Sequence, residues 1–280
     1  MIPKLVVYHA QCRDGFASAW AAWTLGYHAA EFHAAAHGSE PPDVTGKNVL
    51  ILDFSYDRAT LDHMYESAAF LRVFDHHKTA ETTLLDAPYA AFDLNRSGAG
   101  ITWDVLSAEL PHELIGRVDR PWLINYVEDR DLWRFALPNS KEINAYISTL
   151  EFDFETWAAA DIAFAVHTAA DRGKSVLAKT EQYVREVAKN ARLVSFEGHS
   201  VHLVNAPQVD ISEVLAYLLE ESSSPFSMGW WQRADGSFNY SLRSRADVTP
   251  SFDVSELAKR HGGGGHPNAS GFQTEKALFL

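Results

Sequence analysis

A single cysteine among 280 residues, Cys12, excludes an internal disulfide. No run approaches the roughly 20 uninterrupted apolar residues of a membrane span. The apolar stretch at residues 1–8 is too short for a secretory signal, so a cytoplasmic protein is expected. Positive charge is also scarce: 24 Lys and Arg stand against 37 Asp and Glu, a formal charge of -13. That balance disfavours the broad basic track needed to hold long duplex nucleic acid. Small anionic substrates stay open, because bound divalent cations would offset part of the negative charge. Internal repeats and low-complexity tracts are absent too.

What is present is a globular composition, 46% hydrophobic and 12% aromatic, ample for one large or two medium domains. Up to about residue 135, short β-branched or aromatic runs (Leu5–Tyr8, Leu50–Leu52, Phe70–Phe74) alternate with alanine-rich helical segments such as 15–25 and 58–67. This alternation predicts an α/β fold with a parallel, doubly wound sheet. From 139 to 190 the pattern is helical. Strand-like runs then return at 193–196, 201–204, 226–231 and 238–242, with helix-like segments at 211–219 and 254–261. The expected organisation is a parallel-sheet domain over 1–138, a helical connector over 139–190 and a smaller α/β domain over 191–280.

Three of the early strand-like runs end in metal-capable side chains: His9 after the first, Asp53 after the second, and Asp75-His76-His77 after the third. In an open α/β sheet, reactive groups collect outside the carboxyl ends of parallel strands, so residues far apart in sequence can converge. Asp14, Asp129 and Asp131 complete the set. Carboxylate and imidazole suit Mn, Mg or Zn, and phosphoester hydrolysis by two cations needs them about 3.5 to 4 Å apart. Each residue alone has a blander explanation. Asp14 and Asp53 suit helix N-caps, and Asp129 and Asp131 flank Arg130 as surface ion pairs would. The joint placement at three separate strand ends is what points to one site.

The chain resembles the DHH phosphoesterase superfamily, including its DHH-associated C-terminal domain. The resemblance rests on His9-Ala10-Gln11-Cys12-Arg13-Asp14-Gly15, Asp53, Asp75-His76-His77, Glu128-Asp129-Arg130-Asp131, and the run from Gly262 through His266, Asn268 and Ser270 to Phe272. It implies that His9 binds a first metal, Asp14 a second, and that Asp53 bridges them. It further implies that His76 is a direct ligand, that Asp75 orients an imidazole, and that His77 contacts the phosphate. In the fourth motif Asp129 is the expected ligand, because it comes first after Tyr126-Val127, with Asp131 as its competitor. The pattern is broken at Cys12, where many members carry aspartate; a thiolate ligand there would favour Zn or Fe over Mg, and the alternatives are a passive small residue beside a weak first metal site, or a single tightly bound metal.

In the second domain the resemblance makes Gly263, Gly264, Gly265, His266 and Asn268 a substrate-anchoring loop, glycine amides being able to form an anion nest. Arg243 resembles a phosphate clamp, whereas Arg245 reads as a surface residue. Trp133 and Phe135 read as packing. Adjacent Trp230 and Trp231 face opposite sides of a strand, so at least one belongs to the core.

The implied activity is a phosphodiesterase with two divalent cations, Mn first and Mg, Zn or Fe as alternatives. Its substrates would be short single-stranded oligonucleotides or small nucleotides: dinucleotides, cyclic nucleotides or 3′-phosphoadenosine 5′-phosphate. Catalysis would rest on His77, Asp53 and Asp75. An exopolyphosphatase or pyrophosphatase is the alternative within the family, and a nucleotide-binding module that has lost catalysis is the alternative outside it. A homodimer is left open.

Overall fold

The computed structural model describes residues 4–110, 119–163, 166–248 and 250–279. The chain divides into two compact units, Met1–Leu177 and Ala178–Leu280.

The first unit carries five strands, β1 (Leu5–His9), β2 (Glu31–Ala35), β3 (Asn48–Leu52), β4 (Phe70–Asp75) and β5 (Ala90–Phe92). All neighbours pair in parallel, in the order β2-β1-β3-β4-β5. Period-two alternation sends successive side chains to opposite faces. Val6, Leu50, Leu52 and Phe74 therefore join one core, with Phe16 and Trp20 of α1 (Arg13–Ala22). Leu5, Val7, Ile51 and Val73 join the other, with Leu61 and Met64 of α2 (Arg58–Ser67). Among the described residues this unit also has a π-helical segment at Trp23–Tyr27 and helices α3 (Lys78–Leu84), α4 (Gly98–Glu109), α5 (Trp122–Asp131), α6 (Ser140–Ile147) and α7 (Phe154–Ala163). A long helix α8 (Val166–Ala188) begins in the first unit and ends in the second. Among the described residues, no helix is long and apolar enough to cross a membrane.

The expected connector stretch is helical, but α6 and α7 are more than a spacer. Ile143, Tyr146, Ile147 and Trp157 are buried in the first core. Gly173 on α8 lies so close to α6 that a Cβ there would sit 1.7 Å from the Glu142 carbonyl oxygen. The amphipathic pattern of these helices is satisfied by the parallel sheet's own core.

The second unit has six strands in the order β10-β11-β9-β8-β7-β6. These are β6 (Arg192–Phe196), β7 (His199–Asn205), β8 (Phe226–Gln232), β9 (Phe238–Ser244), β10 (Gly264–His266) and β11 (Ala269–Thr274), with α9 (Ile211–Glu220) and α10 (Val254–Arg260). Among the described residues, only the β7–β8 pair is parallel. Trp230 packs against the core holding Phe226 and Tyr240, and Trp231 against the one holding Ile211 and Val214, so both tryptophans pack, on opposite faces of β8.

Candidate functional site

Parallel pairing places the carboxyl ends of β1, β3 and β4 on one edge, where His9, Asp53 and Asp75 stand. Two glycines let the neighbouring helices start against that edge. A Cβ on Gly15 would lie 2.3 Å from the His9 carbonyl oxygen, and one on Gly98 would lie 2.4 Å from the Asp53 Cβ. Both distances are far inside van der Waals contact, so only glycine allows the approach.

Cys12 occupies the N-cap position of α1 but makes no side-chain cap bond. Asp14, buried two residues later, does act as a cap, though of another helix. Its carboxylate accepts hydrogen bonds from the Gly98 amide (2.6 Å) and the Ala99 amide (3.1 Å) at the start of α4. The positive end of α4 thus faces a carboxylate that would otherwise be costly to bury. Ser97 caps α4 from its own chain by accepting from the Gly100 amide, while Glu128 accepts from the Ser97 amide and pairs with Arg120 at 3.1 Å.

Asp53 is the hub. Its backbone is left-handed, with φ of 54°, a conformation that costs a non-glycine residue about 1 kcal/mol or more and persists only where surroundings enforce it. Oδ1 lies 3.1 Å from His76 Nε2, while Oδ2 lies 3.6 Å from His9 Nδ1 and 3.7 Å from Cys12 Sγ. His76 Nε2 is also 3.5 Å from Asp14 Oδ2 and 3.5 Å from Asp131 Oδ2. Ligand-capable atoms of Asp14, Asp53 and His76 fall within 4.8 Å of one another, as do those of His9, Cys12 and Asp53. Both triads contain Asp53.

These contacts do not satisfy the atoms that make them. His9 Nδ1 and Asp53 Oδ1 are buried without a hydrogen bond in the chain. Buried polar atoms normally find partners, and a divalent cation satisfies this set of carboxylate, imidazole and thiol donors. The residues present therefore fit a metal ion.

The charges bear on one another accordingly. Burial raises Asp14 well above the ordinary carboxylate range, and the negative charges of Asp53 and Asp131 push the same way. Asp131 is raised by burial and by Asp53, although His76 opposes. Burial also opposes the charge on Asp53, but His76 and His9 overcome it and hold its carboxyl well below the usual range. His9 and His76 are raised against the pull of burial, His9 mainly by Asp53 and Cys12, His76 mainly by Asp131 and Asp53. Burial, with Asp53 nearby, raises the Cys12 thiol.

Asp75 also meets the hub: ligand-capable atoms of Asp53, Asp75 and His77 fall within 4.8 Å of one another. Asp75 Oδ1 accepts from the His76 amide (2.7 Å) and lies 2.7 Å from His77 Nδ1, and its Oδ2 accepts from Ser55 Oγ (2.6 Å). Burial would raise it, but His77 and Ser55 bring it to about 2.

The fourth motif is the C-terminal turn of helix α5 and not a strand end. Residues two apart on a helix point about 200° apart, so Asp129 and Asp131 cannot share a target. Asp131 is the one beside His76. Asp129, the residue expected there, accepts instead from the Ala136 amide (3.0 Å) and the Leu137 amide (3.2 Å). Its backbone oxygen accepts from Arg134 (2.8 Å) and Phe135 (3.3 Å). One residue thus builds the whole turn after α5.

The expected anchoring residues all lie in the second unit. The Gly262 and Gly263 amides are spent on the C-terminus of α10, donating to Lys259 and Ala258 carbonyls. Gly264, Gly265 and His266 form β10, paired antiparallel with β11, so this run is a helix stop leading into a hairpin. A flexible loop is not what the run forms. Gly265 has φ of 137° and no space for a Cβ, which would meet the Ala269 carbonyl oxygen at 2.6 Å. Asn268 donates to Ser244 and Ser251 hydroxyls. Arg243 donates to Ser212 Oγ at 2.7 Å, and Arg245 is engaged by Asp247.

Sequence reasoning held Asp131 only as the competitor of Asp129, since helical phase is what separates the two, and it missed two other contributors. The Gly98 and Ala99 amides were signalled by a serine followed by small residues at a helix start. His37, whose ring lies 5.4 Å from His9, gave no sequence signal.

Residues 199–279 match the DHHA1 domain. An uncharacterized protein of Acanthamoeba polyphaga mimivirus is 30% identical over 298 residues, which is 95% of this chain and 66% of that protein. The chain therefore spans just under two thirds of that relative's length. A probable bifunctional oligoribonuclease and PAP phosphatase, NrnA, of Streptococcus mutans is 26% identical over 82% of this chain and 70% of its own. In fold, the chain is similar to RecJ of Thermus thermophilus, solved in complex with Mn2+, with a TM-score of 0.54 at 16% identity, covering 99% of this chain and 50% of RecJ. With a DHHA1 domain behind a parallel sheet whose strand ends carry His9, Asp53 and Asp75-His76-His77, the chain belongs to the DHH phosphoesterase superfamily.

Proposed function

We propose that the protein is a metal-dependent phosphodiesterase acting on short oligonucleotides or small nucleotides. The observation that carries this is that two ligand-capable triads, His9-Cys12-Asp53 and Asp14-Asp53-His76, share Asp53. His9, Cys12 and Asp53 would hold one divalent cation, and Asp14, Asp53, His76 and Asp131 a second. When bound, such cations lower the pKa of water and polarise a phosphoryl oxygen.

The chain's own residues supply the rest. Asp53 presents one oxygen to each side of the cluster and so fixes the separation of the two positions. Asp75 holds His77 through Nδ1, which fixes the ring so that its other nitrogen, when it too carries a proton, can donate to a phosphoryl oxygen as charge develops there. Arg243, with Gly264, Gly265 and His266, is the proposed anchor for the rest of the substrate. The activity named for the Streptococcus mutans relative, oligoribonuclease and PAP phosphatase, supports nucleotides over polyphosphate as substrates.

The test is hydrolysis by metal-stripped protein resupplied separately with Mn, Mg, Zn and Fe(II). The panel is a linear dinucleotide, a cyclic dinucleotide, 3′-phosphoadenosine 5′-phosphate and polyphosphate. Turnover of a nucleotide with Mn is expected. Nucleotide binding without turnover under any metal would sink the proposal and favour a binding module.

Metal affinity should rise with pH. His9 and His76 are held protonated by neighbouring carboxylates, and Asp14 and Asp131 are raised. Each proton expelled on loading makes the affinity about tenfold stronger per pH unit below that group's pKa. Calorimetric titration with Mn in buffers of differing ionisation enthalpy should register proton release at pH 7. Affinity unchanged from pH 5.5 to 8 would contradict ligation by these groups.

A further inference from the structure

The turn built by Asp129 carries two aromatic residues in a conformation that aromatic side chains rarely adopt. Trp133 has φ of 54° and Phe135 φ of 48°. Neither is glycine, asparagine or aspartate, the residues that tolerate this region. Ordinary packing would not demand it, and Trp133 is not packed away: it is 43% exposed. The two rings meet edge to face with centroids 5.0 Å apart. The Arg130 guanidinium carbon lies 5.8 Å from the Trp133 ring centre, and Lys141 Nζ lies 5.7 Å from that of Phe135. In a chain of formal charge -13, this is a pair of aromatic rings, each with a cation over one face.

Its position is fixed by the chain itself. Trp133 follows Asp131 by two residues, so their Cα atoms are at most about 7.6 Å apart, and Asp131 is the carboxylate beside His76. An exposed, flat, weakly cationic surface one nucleoside's reach from a phosphoester site is what a nucleobase stacks on, because every base offers a π-face irrespective of sequence.

We propose that Trp133, braced by Phe135 and by the amide bonds to Asp129, is the stacking platform for the base attached to the scissile phosphate. The assignment rests on the phosphodiesterase reading above and adds to it the part of the substrate that is recognised. It also explains why Asp129 is spent on four backbone amides: the turn must be held against its own preference for the indole to stay presented.

The experiment compares the full-length, Mn-loaded wild type with Trp133→Ala and Trp133→Phe on a linear dinucleotide and on its abasic analogue. Trp133→Ala should raise KM for the dinucleotide about tenfold, the usual cost of one lost base stack, with kcat within about twofold. The abasic analogue should lose nothing, and Trp133→Phe should recover most of the dinucleotide KM. Equal losses on both substrates, or no change on either, would overturn the platform. If the wild type cleaves neither, the phosphodiesterase reading fails by itself. Equilibrium binding of dinucleotide against abasic analogue, in wild type and Trp133→Ala, then decides the platform: a base-dependent loss supports it, and its absence refutes it.

Discussion

Asp53→Asn should lower turnover at least about a thousandfold while leaving the protein folded. The size follows from Asp53 standing in both triads, with Oδ1 3.1 Å from His76 and Oδ2 3.6 Å from His9. An amide can offer only one oxygen and no charge, so one of the two positions loses a ligand and the remaining one is weakened. Loss of a group acting only as charge develops lowers kcat and kcat/KM together. Asparagine is the informative substitution, because it keeps the volume and tolerates the φ of 54° that alanine does not. The fold should survive because Asp53 also repels its neighbours. Asp14 and Asp131, each raised first by burial, are raised further by this carboxylate, and removing its charge relieves them. The measurement is steady-state kinetics with Mn beside thermal unfolding of the metal-free protein. Activity within tenfold of wild type would exclude Asp53 as a shared ligand.

Much of this site was legible before any coordinates, for a physical reason. β1, β3 and β4 are largely buried on both faces, so apart from Arg72 in β4 their sequences are apolar runs whose ends are plain, and a polar residue at such an end has few structural excuses. The edges of the sheet were harder to read. β2 carries Glu31, His33 and Ala34 on a partly exposed edge, and β5 has three residues only, so neither leaves a hydrophobic signature. Local readings failed where the structural partner is remote. Asp14 looked like a cap for its own helix and caps α4, 84 residues away in sequence. In the glycine run the partners are near instead: the amides of Gly262 and Gly263 end a helix, donating to Lys259 and Ala258. Trp133 looked like packing because exposure and backbone sign are properties of the turn and not of the residue. The fourth motif failed over a period: it was read as the close of an apolar run, whereas its 3.6-residue repeat selects between two aspartates.

That selection gives a prediction in which two aspartates two residues apart should fail in opposite ways. Asp131→Asn should reduce kcat about a hundredfold or more and leave the unfolding temperature nearly unchanged. Asp131 contributes its charge to the cluster beside His76 at 3.5 Å, and being raised by burial and Asp53 it stabilises the metal-free fold little. Asp129→Asn should instead destabilise by about 2 to 3 kcal/mol, the scale of two lost charge-assisted bonds from partly buried amides. The Ala136 and Leu137 amides at 3.0 and 3.2 Å would then face one oxygen and one amino group, and the latter donates where acceptance is needed. In a unit of this size that is a fall of about 4 to 12 °C in unfolding temperature. The kinetic consequence should also differ. With its brace weakened, the turn can relax Trp133 and Phe135 out of their left-handed conformations, so Asp129→Asn should raise the dinucleotide KM more than it lowers kcat, and should spare the abasic analogue. Thermal unfolding and both kinetic constants, measured on the two variants together, separate the cases. A kcat collapse in Asp129→Asn at unchanged stability, with Asp131→Asn near wild type, would return the ligand to Asp129 and would require α5 to be rotated by about half a turn from the orientation described here.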